Sequence, residues 1–115
     1  MAAKTDLNFD ELNAALGVEA FYSSGEDVVL SVSALTGNTF TALTDEGVIK
    51  LIYKLRSACS KAQDTANEGL EPGQELLTFS GFSFSAPDVN GYVTVTQSHT
   101  VRIPLDTNNV QGRNP

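Results

Sequence analysis

The feature that most constrains the fold is an amphipathic stretch from Thr44 to Asn67, which the sequence predicts to be one long helix. Thr44 is a suitable N-cap, and Asp45 and Glu46 would place negative charge at the positive end of the helix dipole. Apolar residues recur at steps of three and four, at Val48, Ile52, Leu55, Cys59, Ala62 and Ala66. Such a stripe lies on one face and predicts a helix that packs across a sheet.

Two large apolar residues of this helix, Ile49 and Tyr53, lie off the main stripe. They are four positions apart and would therefore form a second apolar patch on the helix surface. One interpretation is that the buried face is wider than the stripe. The other is a contact with another chain, which makes Ile49 and Tyr53 candidate interface residues.

A short N-terminal helix is predicted from Phe9 to Leu16. Asn8 and Glu11 have the spacing of a capping box, and Gly17 is a natural stop. A strand is the alternative, because Leu7 and Phe9 alternate with polar residues.

Two β-prone segments follow and predict a first hairpin. Residues 19–23 and the strand-like run from Val28 to Ala34 flank a turn at residues 24–27. A further short strand is predicted from Thr39 to Leu43, just before the long helix.

The second half of the chain predicts a longer hairpin, with strands at residues 76–86 and 92–105. The signal is the Asn90-Gly91 dipeptide between them, which is typical of a two-residue hairpin turn. A bulge at Ser80-Gly81 would bring the apolar residues of the first strand onto one face. The register expected from that turn pairs Ala86 with Val95, Phe84 with Gln97 and Phe82 with His99.

Together these elements predict an α+β fold. The expected architecture is an antiparallel sheet of four or five strands, with one long helix packed on a face and a short N-terminal helix. A chain of 115 residues suits one domain. We assign residues 1–105 to that domain and expect residues 106–115 to be a polar, mobile C-terminal tail.

The charge of the chain argues against two classes of partner. The formal net charge is -7, and four of the seven basic residues lie on the predicted long helix. Free nucleic acid and anionic membranes are therefore not expected partners. There is no apolar run long enough to span a bilayer and no N-terminal signal region, so a cytoplasmic location or a place in a virion is expected.

No arrangement of residues typical of catalysis is found, so a non-enzymatic role without cofactor or metal is expected. His99 is the only histidine and Cys59 the only cysteine. Neither has the neighbours that a metal site needs, and Cys59 falls on the apolar stripe. The sequence contains no phosphate-binding glycine loop and no serine elbow.

A polar island on the predicted apolar face offers one candidate site. Gln97 and His99 would lie beside Phe82 and Phe84. These four residues could line a small ligand pocket or a polar spot within a subunit interface, whereas catalysis by His99 is the weaker reading.

Two functions remain open on the sequence. The first is a structural or assembly subunit that forms a homo-oligomer, a dimer or a trimer, of the kind found in phage particles or other ordered assemblies. The phage setting comes from the general character of the chain rather than from a motif. Thr94 and Thr96 on the solvent side of the last strand join Ile49 and Tyr53 as candidate interface residues. The alternative is a small regulatory domain that binds a ligand or another protein near Gln97 and His99.

Overall fold

The computed structural model describes residues 3–79 and 81–98. Its elements in chain order are α1 (Phe9–Leu16), β1 (Phe21–Ser24), β2 (Asp27–Leu30), α2 (Val32–Thr36), α3 (Val48–Asn67), β3 (Ser83–Phe84) and β4 (Val95–Thr96). The strands form two separate two-stranded sheets, β1–β2 and β3–β4. The predicted sheet of four or five strands is therefore wrong, whereas the α+β character and the short N-terminal helix are confirmed.

Helix α1 has the predicted bounds because its capping box forms. The Asn8 side chain accepts a hydrogen bond from the Glu11 backbone N–H at 2.9 Å, and the Glu11 carboxylate accepts one from the Asn8 N–H at 2.8 Å. Lys4 lies 3.0 Å from the same carboxylate. The Asn8 N–H, and then Lys4, hold the pKa of Glu11 below its usual value. Gly17 ends the helix at φ 76°.

The first hairpin forms, but its second strand is shorter than predicted. β1 and β2 pair from Phe21 with Leu30 to Ser24 with Asp27. The strand expected to reach residue 34 ends at Leu30, because Ser31 caps helix α2 through a hydrogen bond from the Ala34 N–H at 3.2 Å. Gly37 closes this helix in the left-handed conformation, at φ 77°.

The predicted strand at residues 39–43 is not formed, and α3 begins at Val48 rather than at Thr44. Asp45 explains both differences. Its carboxylate accepts hydrogen bonds from the N–H groups of Thr41 and Ala42, at 2.7 and 3.2 Å, and so folds the segment into a turn. The same bonds hold the pKa of Asp45 below its usual value.

Gly47, just before α3, lies against the Phe40 ring. A Cβ atom at Gly47 would lie 2.5 Å from two carbons of that ring. We expect Gly47→Ala to lower the free energy of unfolding by about 1–3 kcal/mol, because the ring must shift. Urea denaturation measures this, with Gly81→Ala as control, since nothing lies within 4 Å of a Cβ there. Equal stability of the two variants would show that Phe40 moves aside freely.

The core lies between α1 and the second half of α3. Leu12 packs there against Ala58 and Ala62, and partly buried side chains surround them: Leu7, Ala15, Leu16, Phe21 and Cys59. The small residues of α3 allow the two helices to approach closely. The expectation that the long helix packs on the face of a sheet is therefore wrong, because a helix occupies the position expected for the sheet.

The second hairpin is formed with a register different from the predicted one. Ser83 pairs with Thr96, and Phe84 pairs with Val95 rather than with Gln97. The turn is wider than a two-residue turn, since the Asp88 carboxylate accepts hydrogen bonds from the N–H groups of Asn90 and Tyr92. A shift of two residues keeps the same side chains on the same face.

Other predictions for this region are wrong or lie outside the described residues. Residues 76–82 and 92–94 are not regular strand where they are described. Gly81 belongs to no strand and does not adopt a positive φ. Ser80, residues 99–105 of the predicted last strand and the predicted tail at 106–115 lie outside the described residues.

Candidate interface groove

An open groove of about 370 Å³ lies between the first half of α3 and the β3–β4 hairpin. Val48, Ile49, Ile52, Tyr53 and Arg56 line it from the helix. Phe82, Val95 and Gln97 line it from the hairpin. We call this surface the α3 groove. The spacing of the helical residues, at steps of one, three and four, places them along one side of α3.

The aromatic side chains connect the helix with the hairpin. The Tyr53 and Phe82 rings stack with centroids 5.5 Å apart and planes 24° apart. Phe84 meets the edge of Phe82 at 6.4 Å and 80°. These contacts fix one wall of the α3 groove, because offset and edge-to-face pairs are favourable arrangements of aromatic rings.

A second link lies at the end of the groove. The Arg56 guanidinium donates a hydrogen bond to the Gln97 carbonyl at 3.1 Å. The Gln97 side-chain amide reaches the Arg56 carbonyl at 3.4 Å. This reciprocal pair connects α3 to the segment that follows β4, and it places an arginine and an amide beside an otherwise apolar surface.

Side-chain amides hold other extended segments against the helices in the same manner. Asn13 of α1 both donates to and accepts from the Phe21 backbone, at 2.9 Å each way. Gln63 of α3 does so with Phe79, at 2.6 and 2.8 Å. Asn67 does so with Leu76, at 2.8 Å each way. Each amide substitutes for a neighbouring strand, because it offers the same donor and acceptor as a peptide group.

The two amides on α3 position the β3–β4 hairpin. Gln63 is buried, with 6% of its surface exposed, and it fixes the chain at Phe79, three residues before Phe82. Asn67 fixes the chain at Leu76. The segment from Leu76 to Phe79 therefore follows α3 back toward its first half, which brings Phe82 onto Tyr53.

The structure brings together half of the residues predicted to form a site. Ile49 and Tyr53, predicted for an interface, and Phe82 and Gln97, predicted for a pocket, all line the α3 groove. Phe84 contacts Phe82 at the edge of the groove.

The remaining predicted site residues do not line the groove. Thr94 and Thr96 lie on the β4 side of the hairpin, where both are exposed, and His99 lies outside the described residues. The sequence does not identify Val48, Ile52, Arg56 and Val95 as groove residues. Its periodicity places Val48 and Ile52 on the buried stripe, and only the position of α1 shows that they are not covered.

The chemistry of the described residues is limited. In residues 3–79 and 81–98, no group of three or more His, Cys, Asp or Glu side chains could hold a metal ion. Burial raises the pKa of the Cys59 thiol, with Arg56 acting in the opposite direction, so the thiolate form is disfavoured at neutral pH. A second open cavity, of about 460 Å³, contains Asp45 and Lys50 in its lining, but Asp45 already binds backbone N–H groups.

No helix in the described part of the chain is long and apolar enough to cross a membrane. Comparisons with protein families, with curated proteins and with solved structures give no match to this chain.

Proposed function

We propose that this chain is a non-enzymatic assembly subunit that forms a homo-oligomer, a dimer or a trimer, through the α3 groove. The observation that carries the proposal is the exposure of large apolar side chains along the groove. Ile49 is 88% exposed and Val48 is 67% exposed, and Ile52 and Tyr53 are also exposed. A contiguous apolar surface of this kind on a small domain is typical of a protein contact.

The small core supports the same proposal. The buried apolar residues of the described chain are three leucines and three alanines: Leu12, Leu35, Leu76, Ala20, Ala58 and Ala62. The larger apolar side chains of α3 lie in its first half, outside this core. A second chain on the groove would bury them and add to the stability of the fold.

An assembly role also fits the rest of the chain. The groove has few polar groups, and its Arg56 and Gln97 are engaged with each other's backbone. We propose a subunit of the kind that builds phage particles or other ordered assemblies, located in the cytoplasm or in a virion.

The test is the molar mass of the purified protein, measured by size-exclusion chromatography with light scattering. We expect two or three times 12.2 kDa at high micromolar concentration. Ile49→Lys should give a monomer, because it places an unpaired charge in the contact. Leu43→Lys is the matched control, since Leu43 is also fully exposed but lies outside the groove. A wild-type mass of 12.2 kDa at that concentration would overturn the proposal.

A second candidate function rests on the shape of the same groove. Its volume of about 370 Å³ lies within the range of small-molecule sites, and Arg56 and Gln97 provide polar groups at one end. A regulatory domain that binds a small apolar ligand there is the alternative. Such a ligand would raise the melting temperature of the wild type but not that of Ile49→Lys.

A further inference from the structure

The open half of the α3 groove lies at the beginning of the helix. Val48 and Ile49 are the most exposed of the groove residues, whereas Tyr53 stacks on the hairpin. From Val48 to Arg56 the groove extends along about 12 Å of helix, at about 1.5 Å per residue. An occupant must therefore carry apolar side chains over about that length.

The second half of α3 is already covered on the same side. Residues 76–82 run antiparallel to α3, since they meet Asn67 first, then Gln63 and finally Tyr53. Gln63 and Asn67 lie on the side of the helix that carries the groove residues. The described chain therefore covers this side from its far end up to Tyr53 and leaves the first turns of α3 open.

The chain leaves the β3–β4 hairpin in the opposite direction. β4 pairs antiparallel with β3, so it runs parallel to α3. Its continuation reaches Arg56 through Gln97, and the described part ends one residue later, at Ser98. At Ser98 the chain is thus beside the groove but directed toward the second half of α3, away from Val48 and Ile49.

The residues that follow Ser98 have the pattern that the groove requires. Residues 99–105, which lie outside the described residues, carry apolar side chains at alternate positions, Val101, Ile103 and Leu105. Alternate side chains of an extended chain share one side, and Pro104 disfavours a helical conformation at Ile103. From Val101 to Leu105 an extended chain covers about 13 Å, at about 3.3 Å per residue. The apolar length of this segment therefore matches that of the groove.

We propose that residues 99–105 of one copy dock in the α3 groove of a second copy, with their three apolar side chains against Val48, Ile49 and Ile52. This inference rests on the proposed function and specifies the surface that fills the groove. The groove of the same copy is disfavoured, because the chain at Ser98 points away from its open half. Seven extended residues span at most about 25 Å, so the first two can cross between the copies.

The position of the segment also selects the symmetry of the assembly. In each copy the segment begins beside the groove, so two copies that face each other can exchange their segments reciprocally about a two-fold axis. In such a contact the same surfaces are used twice, and the assembly closes at two copies. The expected oligomer is therefore a dimer rather than a trimer.

Two variants of the full chain test the docking. Ile49→Lys places a charge in the groove, and Ile103→Glu places one on the apolar side of the segment. We expect each variant alone to need at least about tenfold more protein to dimerise than the wild type, because the contact would bury an unpaired charge. Light scattering over a concentration series measures this. Thr100→Glu is the matched control, since it adds the same charge on the other side of the extended segment, and it should dimerise as the wild type does.

Mixing Ile49→Lys with Ile103→Glu gives the decisive measurement. In the mixed dimer one contact has both native surfaces, and in the other the introduced lysine meets the introduced glutamate. The mixture should therefore form a one-to-one complex of twice 12.2 kDa at concentrations at which each variant alone is a monomer. A mixture that stays monomeric would show that the two residues do not meet across the interface, and the docking would be wrong.

The outcomes separate this inference from the proposed function. If Ile103→Glu dimerises normally while Ile49→Lys does not, the groove binds another surface; the docking is then wrong, although the proposed function stands. If the wild type is a monomer, both are wrong. Circular dichroism checks that each variant is folded, and Val101→Glu replaces Ile103→Glu should the latter unfold the chain.

Discussion

We expect Gln63→Ala to lower the free energy of unfolding by about 1–3 kcal/mol, because it removes two hydrogen bonds between a buried side chain and the Phe79 backbone. Each such hydrogen bond contributes about 0.5–1.5 kcal/mol to stability. Gln63 is itself buried, and its amide meets the Phe79 carbonyl at 2.6 Å and the Phe79 N–H at 2.8 Å. Urea denaturation measures the loss. Lys61→Ala, at an exposed position of the same helix, should change stability by less than about 0.5 kcal/mol.

The variant Gln63→Glu tests the direction of the hydrogen bonds. The introduced carboxyl group can still accept a hydrogen bond from the Phe79 N–H. It places an oxygen where the amide NH2 group of Gln63 donates to the Phe79 carbonyl. Only its protonated form can donate there, so folding raises its pKa above the unfolded value of about 4.3. The substitution therefore lowers the free energy of unfolding least at pH values below the unfolded pKa of the carboxyl. Stability is lost as the pH rises through its folded pKa.

The pH dependence distinguishes this effect from a general loss of packing. Relative to the wild type, Gln63→Glu should be strongly destabilised at pH 7 and much less so near pH 4. Gln63→Ala should show the same deficit at both values, since no titrating group is introduced. A constant deficit for Gln63→Glu would mean that the amide does not donate to Phe79.

Leu12→Ala is expected to cost about 2–5 kcal/mol, the range for leucines removed from a core. Leu12 is 8% exposed and is the large side chain between α1 and the alanines of α3. The substitution leaves a cavity between α1 and α3. Because the described core is small, few neighbouring side chains can move into that cavity. Leu77→Ala is the control, because Leu77 is 74% exposed and should matter little. Equal effects at both positions would show that α1 does not pack on α3 through this residue.

The elements that the sequence predicted well are those in which local groups satisfy one another. The capping box of Asn8 and Glu11, and Gly17 after it, define α1 within ten residues of chain. The same kind of signal is present at Ser31 and Gly37, but the alternation of apolar and polar residues around Val32 predicts a strand. The segment forms a helix rather than a strand, because Ser31 caps its beginning and Gly37 ends it. A helix of five residues is little more than one turn, so these two caps satisfy much of its backbone.

The register of the second hairpin shows a different kind of error. Asn90-Gly91 correctly predicted that the chain reverses, and Gly91 does adopt a positive φ of 83°. The width of the turn depended on Asp88, whose carboxylate binds two backbone N–H groups across it. An Asp carboxylate can accept hydrogen bonds from several nearby backbone N–H groups. The pattern of apolar residues does not show which of these N–H groups it binds.

The groove residues could be found only in part from the sequence. Ile49 and Tyr53 were identified because they lie off the apolar stripe, and both line the α3 groove. Val48 and Ile52 lie on the stripe and were assigned to the core, yet both are exposed. Periodicity defines a face of a helix but not how far along that face a neighbour extends.

The sequence by itself determined three local features of this protein: the capping box of α1, the reversals of the chain in the two hairpins and the existence of one long amphipathic helix. Only the tertiary structure decided what that helix packs against. The small residues Ala58 and Ala62 admit α1, and the amides of Gln63 and Asn67 bind extended backbone at Phe79 and Leu76. Asn67 bonds to a residue nine positions away, and Gln63 bonds to one sixteen positions away. These hydrogen bonds form only when the chain folds back and brings a backbone donor and acceptor to each amide.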